Sequence, residues 1–130
     1  MAPRPLSPHL TVYKFKYTLT TSILNRFTGV GLSLALLLLV YWLMAVASGA
    51  AAQARAAQFF AHPLLRLMGL LFIGAFCYHL LAGLRHLVWD TGHGLEKRQS
   101  QRSAWLVIVA SALLTLLIAY LAWRAGSHTP

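Results

Sequence analysis

Three long runs without a charged side chain constrain this chain more than any other feature. Arg26 to Arg55 encloses 28 uncharged residues, Arg66 to Arg85 encloses 18, and Arg102 to Arg124 encloses 21. A helix rises about 1.5 Å per residue and needs about 20 residues to cross the hydrocarbon of a bilayer. Three crossings take up most of the 130 residues and leave nothing for a soluble core. Composition agrees: 58% of the residues are apolar, and Asp90 and Glu96 are the only acids. Such a chain lacks the mixed charged surface that keeps a soluble domain dispersed. The expectation is an all-α membrane protein, one membrane-anchor domain over 1–130, with helices at about 24–48, 63–89 and 103–123.

Residues 1–23 precede the first span, 49–58 read as the first connection and 91–101 as the second. Pro63 suits the first turn of a helix, because its missing N–H would have no partner there anyway. The second run is short, but a neutral His79 and outward snorkelling of Arg66 and Arg85 extend it to a full crossing. The first apolar run is too long for the core of a cleavable signal peptide, so it is expected to stay as a membrane helix. Cys77 is alone within the second span, which excludes an internal disulfide. There is no C-x-x-C-H motif for covalent haem attachment.

Basic residues set the orientation. Arg4, Lys14, Lys16, Arg26, Arg85, Lys97, Arg98 and Arg102 fall on one side, against Arg55, Arg66 and Arg124 on the other. The richer side is expected to be cytoplasmic, N-terminus included. The net charge of +9 is then mostly one-sided and suits anionic headgroups or an acidic partner docking from that side. No polar surface interleaves basic and aromatic residues, which argues against nucleic acid.

The chemistry concentrates in two stripes. His79, Gly83, His86 and Asp90 lie at i, i+4, i+7 and i+11 and share one helix face, with Phe72 a further seven residues back. Ionisable groups at that depth are functional candidates. A neutral imidazole there can bind iron through one ring nitrogen, and Gly83 leaves room for a flat macrocycle. His79 lies about 9 Å inward of Arg85, a depth at which Arg26, Arg85 or His86 can meet haem propionates. The alternative is a histidine that only hydrogen-bonds a neighbouring helix. No second histidine is equally deep, so a six-coordinate haem needs its other ligand from another chain.

Ser22, Arg26, Gly29 and Ser33 repeat the same spacing in the first span. A hydroxyl and a fixed cation at the interface can hold a quinone carbonyl oxygen and stabilise the negative charge it gains on reduction. The alternative makes Ser22 a helix N-cap, Arg26 a positive-inside anchor, and Gly29 with Ser33 a packing groove. Paired carboxylates, a nucleophile beside a base and a phosphate loop are all missing, so the chain is not expected to catalyse a reaction alone. A proton or cation channel would place a carboxylate within a span, and neither acid lies deep.

Three motifs in order, Arg4-Pro5-Leu6-Ser7-Pro8-His9-Leu10, Ser22-Ile23-Leu24-Asn25-Arg26-Phe27-Thr28-Gly29 and Tyr78-His79-x-x-x-Gly83-x-Arg85-His86-x-x-x-Asp90, resemble the cytochrome b subunit of succinate dehydrogenase, respiratory complex II. The resemblance implies that His79 is an axial ligand of a single haem b, whose other histidine belongs to a second membrane-anchor subunit. It implies that Ser22 and Arg26 line a ubiquinone site completed by that subunit and the iron-sulfur subunit, and that Arg85 and His86 lie near the haem propionates. Electrons would reach the quinone from succinate through a flavoprotein subunit and the iron-sulfur subunit. The family often has histidine where this chain has Asn25, and an amide cannot titrate. The first motif starts at residue 4, leaving no room for a mitochondrial transit peptide, so a bacterial inner membrane is expected. The competing expectation is a haem-free anchor that only docks soluble subunits.

Overall fold

The computed structural model describes residues 17–127; the first motif, with Arg4, Lys14 and Lys16, and His128 at the other end, lie outside the described residues. Four helices follow one another: α1 Tyr17–Ala47, α2 Ala50–Phe60, α3 Pro63–Asp90 and α4 Lys97–Ser127. Three of them, α1, α3 and α4, are long and apolar enough to cross a membrane. No strand occurs among the described residues.

The helices overrun the spans read from the bounding charges. Helix α1 begins at Tyr17 and α4 at Lys97, roughly two turns before the expected starts. Charges mark where the chain meets water, whereas a helix ends where its backbone hydrogen bonding ends. Nothing between Tyr17 and Leu24 breaks a helix, and both long helices continue past the hydrocarbon boundary.

Residues 49–58, expected as a connection, are mostly α2. Alanine has the highest intrinsic helix propensity, and five of the first seven residues of α2 are alanine. Gly49 separates α1 from α2 with φ of 99°, a left-handed backbone that a side chain would strain. Tyr41, Trp42, Phe59 and Phe60 then pack ring against ring, with centroids 5.3–6.1 Å apart, and turn the chain back toward α3. His62 caps α3 by accepting a hydrogen bond from Leu64 N at 3.3 Å, followed by Pro63 at the first helical position.

Small residues make the contacts between helices. The buried set among the described residues is Ala45, Ala56, Cys77, Tyr78, Ala82, Ala104, Val107 and Ser111, while large side chains such as Leu37, Met44, Leu113 and Trp123 face outward. This is the inverse of a soluble core. Lipid tails are as apolar as leucine, so helices gain by close backbone approach and interhelical hydrogen bonds rather than by hiding leucines from water. Helix α3 is central, packing on α4 along most of its length and on α1 toward its C-terminal half.

Candidate functional site

His79 sits where α3 faces α1. Its Nδ1 lies 3.1 Å from the backbone oxygen of Asn25 and 3.2 Å from Thr28 Oγ1. A carbonyl only accepts, so Nδ1 carries the ring proton and Nε2 keeps its lone pair. That lone pair makes no hydrogen bond with the described residues, and the ring lines an apolar groove of about 770 Å³ with Leu32, Leu36, Leu39, Phe72, Phe76 and Ile118. A histidine held at one nitrogen by a backbone carbonyl and open at the other has the arrangement of a metal ligand. The interhelical hydrogen bond weighed as the alternative is therefore present through Nδ1, and it leaves the second nitrogen available.

The groove fits a large apolar group better than a small polar one. It is mostly hydrocarbon and open along one side, and its volume falls in the upper part of the roughly 300–1,000 Å³ spanned by ligand sites. Asn25, whose backbone oxygen holds His79 Nδ1, also carries the one orphaned buried polar atom among the described residues, its Oδ1. A buried acceptor without a donor costs roughly 1–3 kcal/mol. Phe72 lines the groove as expected from its spacing. Gly83 faces open space, with nothing within 4 Å of the position its Cβ would take, and Gly29 of α1 lies directly against His79.

A second, more polar cleft of about 130 Å³ opens toward the α3 C-terminus, between α1, α3 and α4. Thr21, Ser22, Tyr78, Arg85, His86 and Trp89 are among its walls. Tyr78 donates its hydroxyl hydrogen to Thr21 O at 3.0 Å, tying α3 to α1 at its edge. Ser22 lies inside α1, five residues beyond Tyr17, so it is no N-cap. At about 130 Å³ the cleft is smaller than an ordinary ligand site and needs further walls to enclose a substrate.

The two stripes are divided between these spaces. His79 faces the groove, His86 the cleft, and Asp90 is exposed. Ser22 lines the cleft and Gly29 the groove, but Arg26 is exposed and forms no hydrogen bond or ion pair with the described residues. Arg85 reaches the cleft committed to α4: Nε donates to Ser103 Oγ at 2.9 Å, Nη2 donates to Ser100 O at 2.7 Å, and the guanidinium stacks 3.9 Å from the Trp89 ring centre. The Ser100 and Ser103 contacts went unread in the sequence. Their three-residue spacing, which puts both hydroxyls on one face, was the available signal.

Fold and site together define a class of protein: a helical membrane subunit with three crossings, whose deep imidazole is fixed at one nitrogen and open at the other toward an apolar groove. A family model described as succinate dehydrogenase/fumarate reductase transmembrane subunit matches residues 2–118. The chain is 40% identical over 115 residues to the succinate dehydrogenase cytochrome b556 subunit of Rickettsia typhi, covering 88% of this chain and 90% of that one. It is 40% identical over 114 residues to the subunit of the same name from Paracoccus denitrificans, covering 88% of each. With the cytochrome b560 subunit of Reclinomonas americana it shares 37% over 121 residues, covering 88% of this chain and 83% of that one. The chain belongs to the succinate dehydrogenase/fumarate reductase transmembrane subunit family.

Proposed function

We propose that this chain is the cytochrome b anchor of a succinate dehydrogenase, holding one haem b jointly with a second membrane-anchor subunit and lining the site where ubiquinone is reduced. The observation that carries the haem reading is His79, bonded at Nδ1, with Nε2 making no hydrogen bond to the described residues and the ring lining the apolar groove. A flavoprotein subunit and an iron-sulfur subunit complete the complex. The membrane is the bacterial inner membrane, with the N-terminus cytoplasmic. The shared end of α1, α3 and α4 that holds Arg26, Arg85, Lys97, Arg98 and Arg102 supports that orientation.

Each residue has a stated task. His79 would hold the iron, and the Asn25 carbonyl keeps its proton on the far nitrogen. Arg26 offers a fixed positive charge and His86 a ring nitrogen to carboxylates at the inner surface, while Arg85 beside them is committed to α4 and Trp89. Haem b, when bound, supplies a one-electron carrier beside the route to quinone. At the cleft, the Ser22 hydroxyl offers a hydrogen bond to a quinone oxygen. Arg26 supplies a fixed positive charge once a partner subunit covers it, because a cation acts more strongly where water is excluded. The quinone takes up as many electrons and protons as succinate loses, the electrons arriving from the iron-sulfur subunit. The walls missing from the 130 Å³ cleft are then the partners' walls.

The test is an affinity tag on this chain, mild solubilisation of the membrane, and assay of what copurifies. Flavin, iron and succinate-dependent ubiquinone reduction are expected in one complex. A tagged chain assembled with other subunits but devoid of succinate-dependent activity would overturn the assignment.

A further inference from the structure

Helix α1 lies against the His79 ring at Asn25, Thr28 and Gly29. Nδ1 faces two acceptors, Asn25 O and Thr28 Oγ1. The Thr28 hydroxyl hydrogen is already used within α1, with Leu24 O and Asn25 O each 2.9 Å from Oγ1. Oγ1 therefore turns a lone pair toward the ring, and the Nδ1 proton is shared between the carbonyl and the hydroxyl. A Cβ at Gly29 would fall 3.1 Å from His79 Cε1, 3.7 Å from Nδ1 and 4.0 Å from Nε2. A 3.1 Å approach is closer than ordinary van der Waals contact, so a methyl group there would push the ring away from α1 or turn it.

We propose that Thr28 and Gly29 are positioning residues for the His79 imidazole: Thr28 shares the Nδ1 proton and fixes which nitrogen faces the groove, and Gly29 sets how closely the ring lies on α1 and hence the plane it presents. The inference rests on the reading of His79 as a haem ligand. It makes α1 part of the haem site, although no α1 side chain binds the iron. Thr28 is also the side chain through which the Nδ1 bond can be altered, because the other acceptor is backbone and survives any substitution at Asn25.

The chemical consequence has a sign. An acceptor on Nδ1–H increases the electron donation of Nε2, which favours the oxidised iron and lowers the midpoint potential. Removing the Thr28 share weakens that donation and raises the potential. Valine has the shape of threonine without the hydroxyl, and serine has the hydroxyl without the methyl. The pair therefore separates the hydrogen bond from the packing.

The experiment uses the whole detergent-solubilised complex in five forms: wild type, His79→Ala, Thr28→Val, Thr28→Ser and Gly29→Ala. Haem per flavin, the haem midpoint potential and the low-spin ferric electron paramagnetic resonance signal are recorded for each. Thr28→Val is expected to keep its haem with a raised potential and a shifted resonance, and Thr28→Ser to match wild type in both. Gly29→Ala is expected to shift the resonance or to lose haem several-fold. Loss of haem in His79→Ala alongside wild-type values in Thr28→Val and Gly29→Ala would overturn the positioning roles alone. Full retention of haem in His79→Ala would overturn the ligand itself, and the positioning roles with it.

Discussion

The two seams of helix α3 differ in kind. Against α4 it is closed: Cys77, Tyr78, Ala82, Ala104, Val107 and Ser111 are buried along or beside it, and Arg85 pins its end to Ser100 and Ser103. Against α1 it is open: a groove of about 770 Å³ is lined by Gly29 to Leu39 of α1 and Phe72 to His79 of α3, the imidazole lining it has one nitrogen without a hydrogen bond among the described residues, and the Asn25 amide oxygen of α1 is buried without a donor. Both seams use the same inventory of small residues and hydroxyls, so composition does not separate them. Satisfaction does. Where every polar group finds its partner within the chain, the seam serves packing, and where polar groups stay unpaired beside free volume, the seam is half of something.

That contrast predicts a ranking of effects. The largest belongs to the open seam: His79→Ala should reduce haem per flavin at least tenfold in the purified complex, while succinate oxidation with an artificial acceptor stays near wild type. Retained haem would make the open seam another packing surface. Next comes Arg26→Leu, expected to lower succinate-dependent ubiquinone reduction on the order of a hundredfold, as for loss of a preorganised charge at a developing anion. Assembly, read by gel filtration, should persist, because Arg26 bonds to nothing among the described residues.

The closed seam should answer in stability and not in spectrum. Arg85→Ala removes interhelical hydrogen bonds and should destabilise the complex by about 1–2 kcal/mol, measured as a lower thermal midpoint with the haem band unmoved. A change in haem potential in that variant would join the two seams and give Arg85 the propionate role inferred from its motif. The smallest effect is Trp89→Leu, which deletes the stack under Arg85 and should cost about 0.5–1 kcal/mol. A loss as large as that of Arg85→Ala would show that Trp89, rather than the serines, holds the guanidinium.

The sequence made the spans legible because charge is expensive in hydrocarbon, and the bounding arginines locate the slab directly. It did not make the helix ends legible, since Tyr17 to Leu24 and Lys97 to Arg102 are helical outside that slab. Helix α2 carries its helical signal in alanine propensity rather than in apolar periodicity. Of the site, His79 and its depth could be read from one helix alone. What could not be read was anything that needs two helices: that Gly29 lies against the imidazole ring, that the Asn25 carbonyl takes its proton, and that Arg26 is exposed outside the walls of the cleft Ser22 lines. Spacing along one helix fixes a face but not the neighbour that face meets.

The most direct test of the open seam is the dithionite-reduced minus oxidised absorption spectrum of the complex purified through this chain. A sharp b-type α-band, absent when His79 is replaced by alanine, is the predicted result. A fully assembled, active complex with no such band would contradict it and leave the His79 groove as a place for lipid.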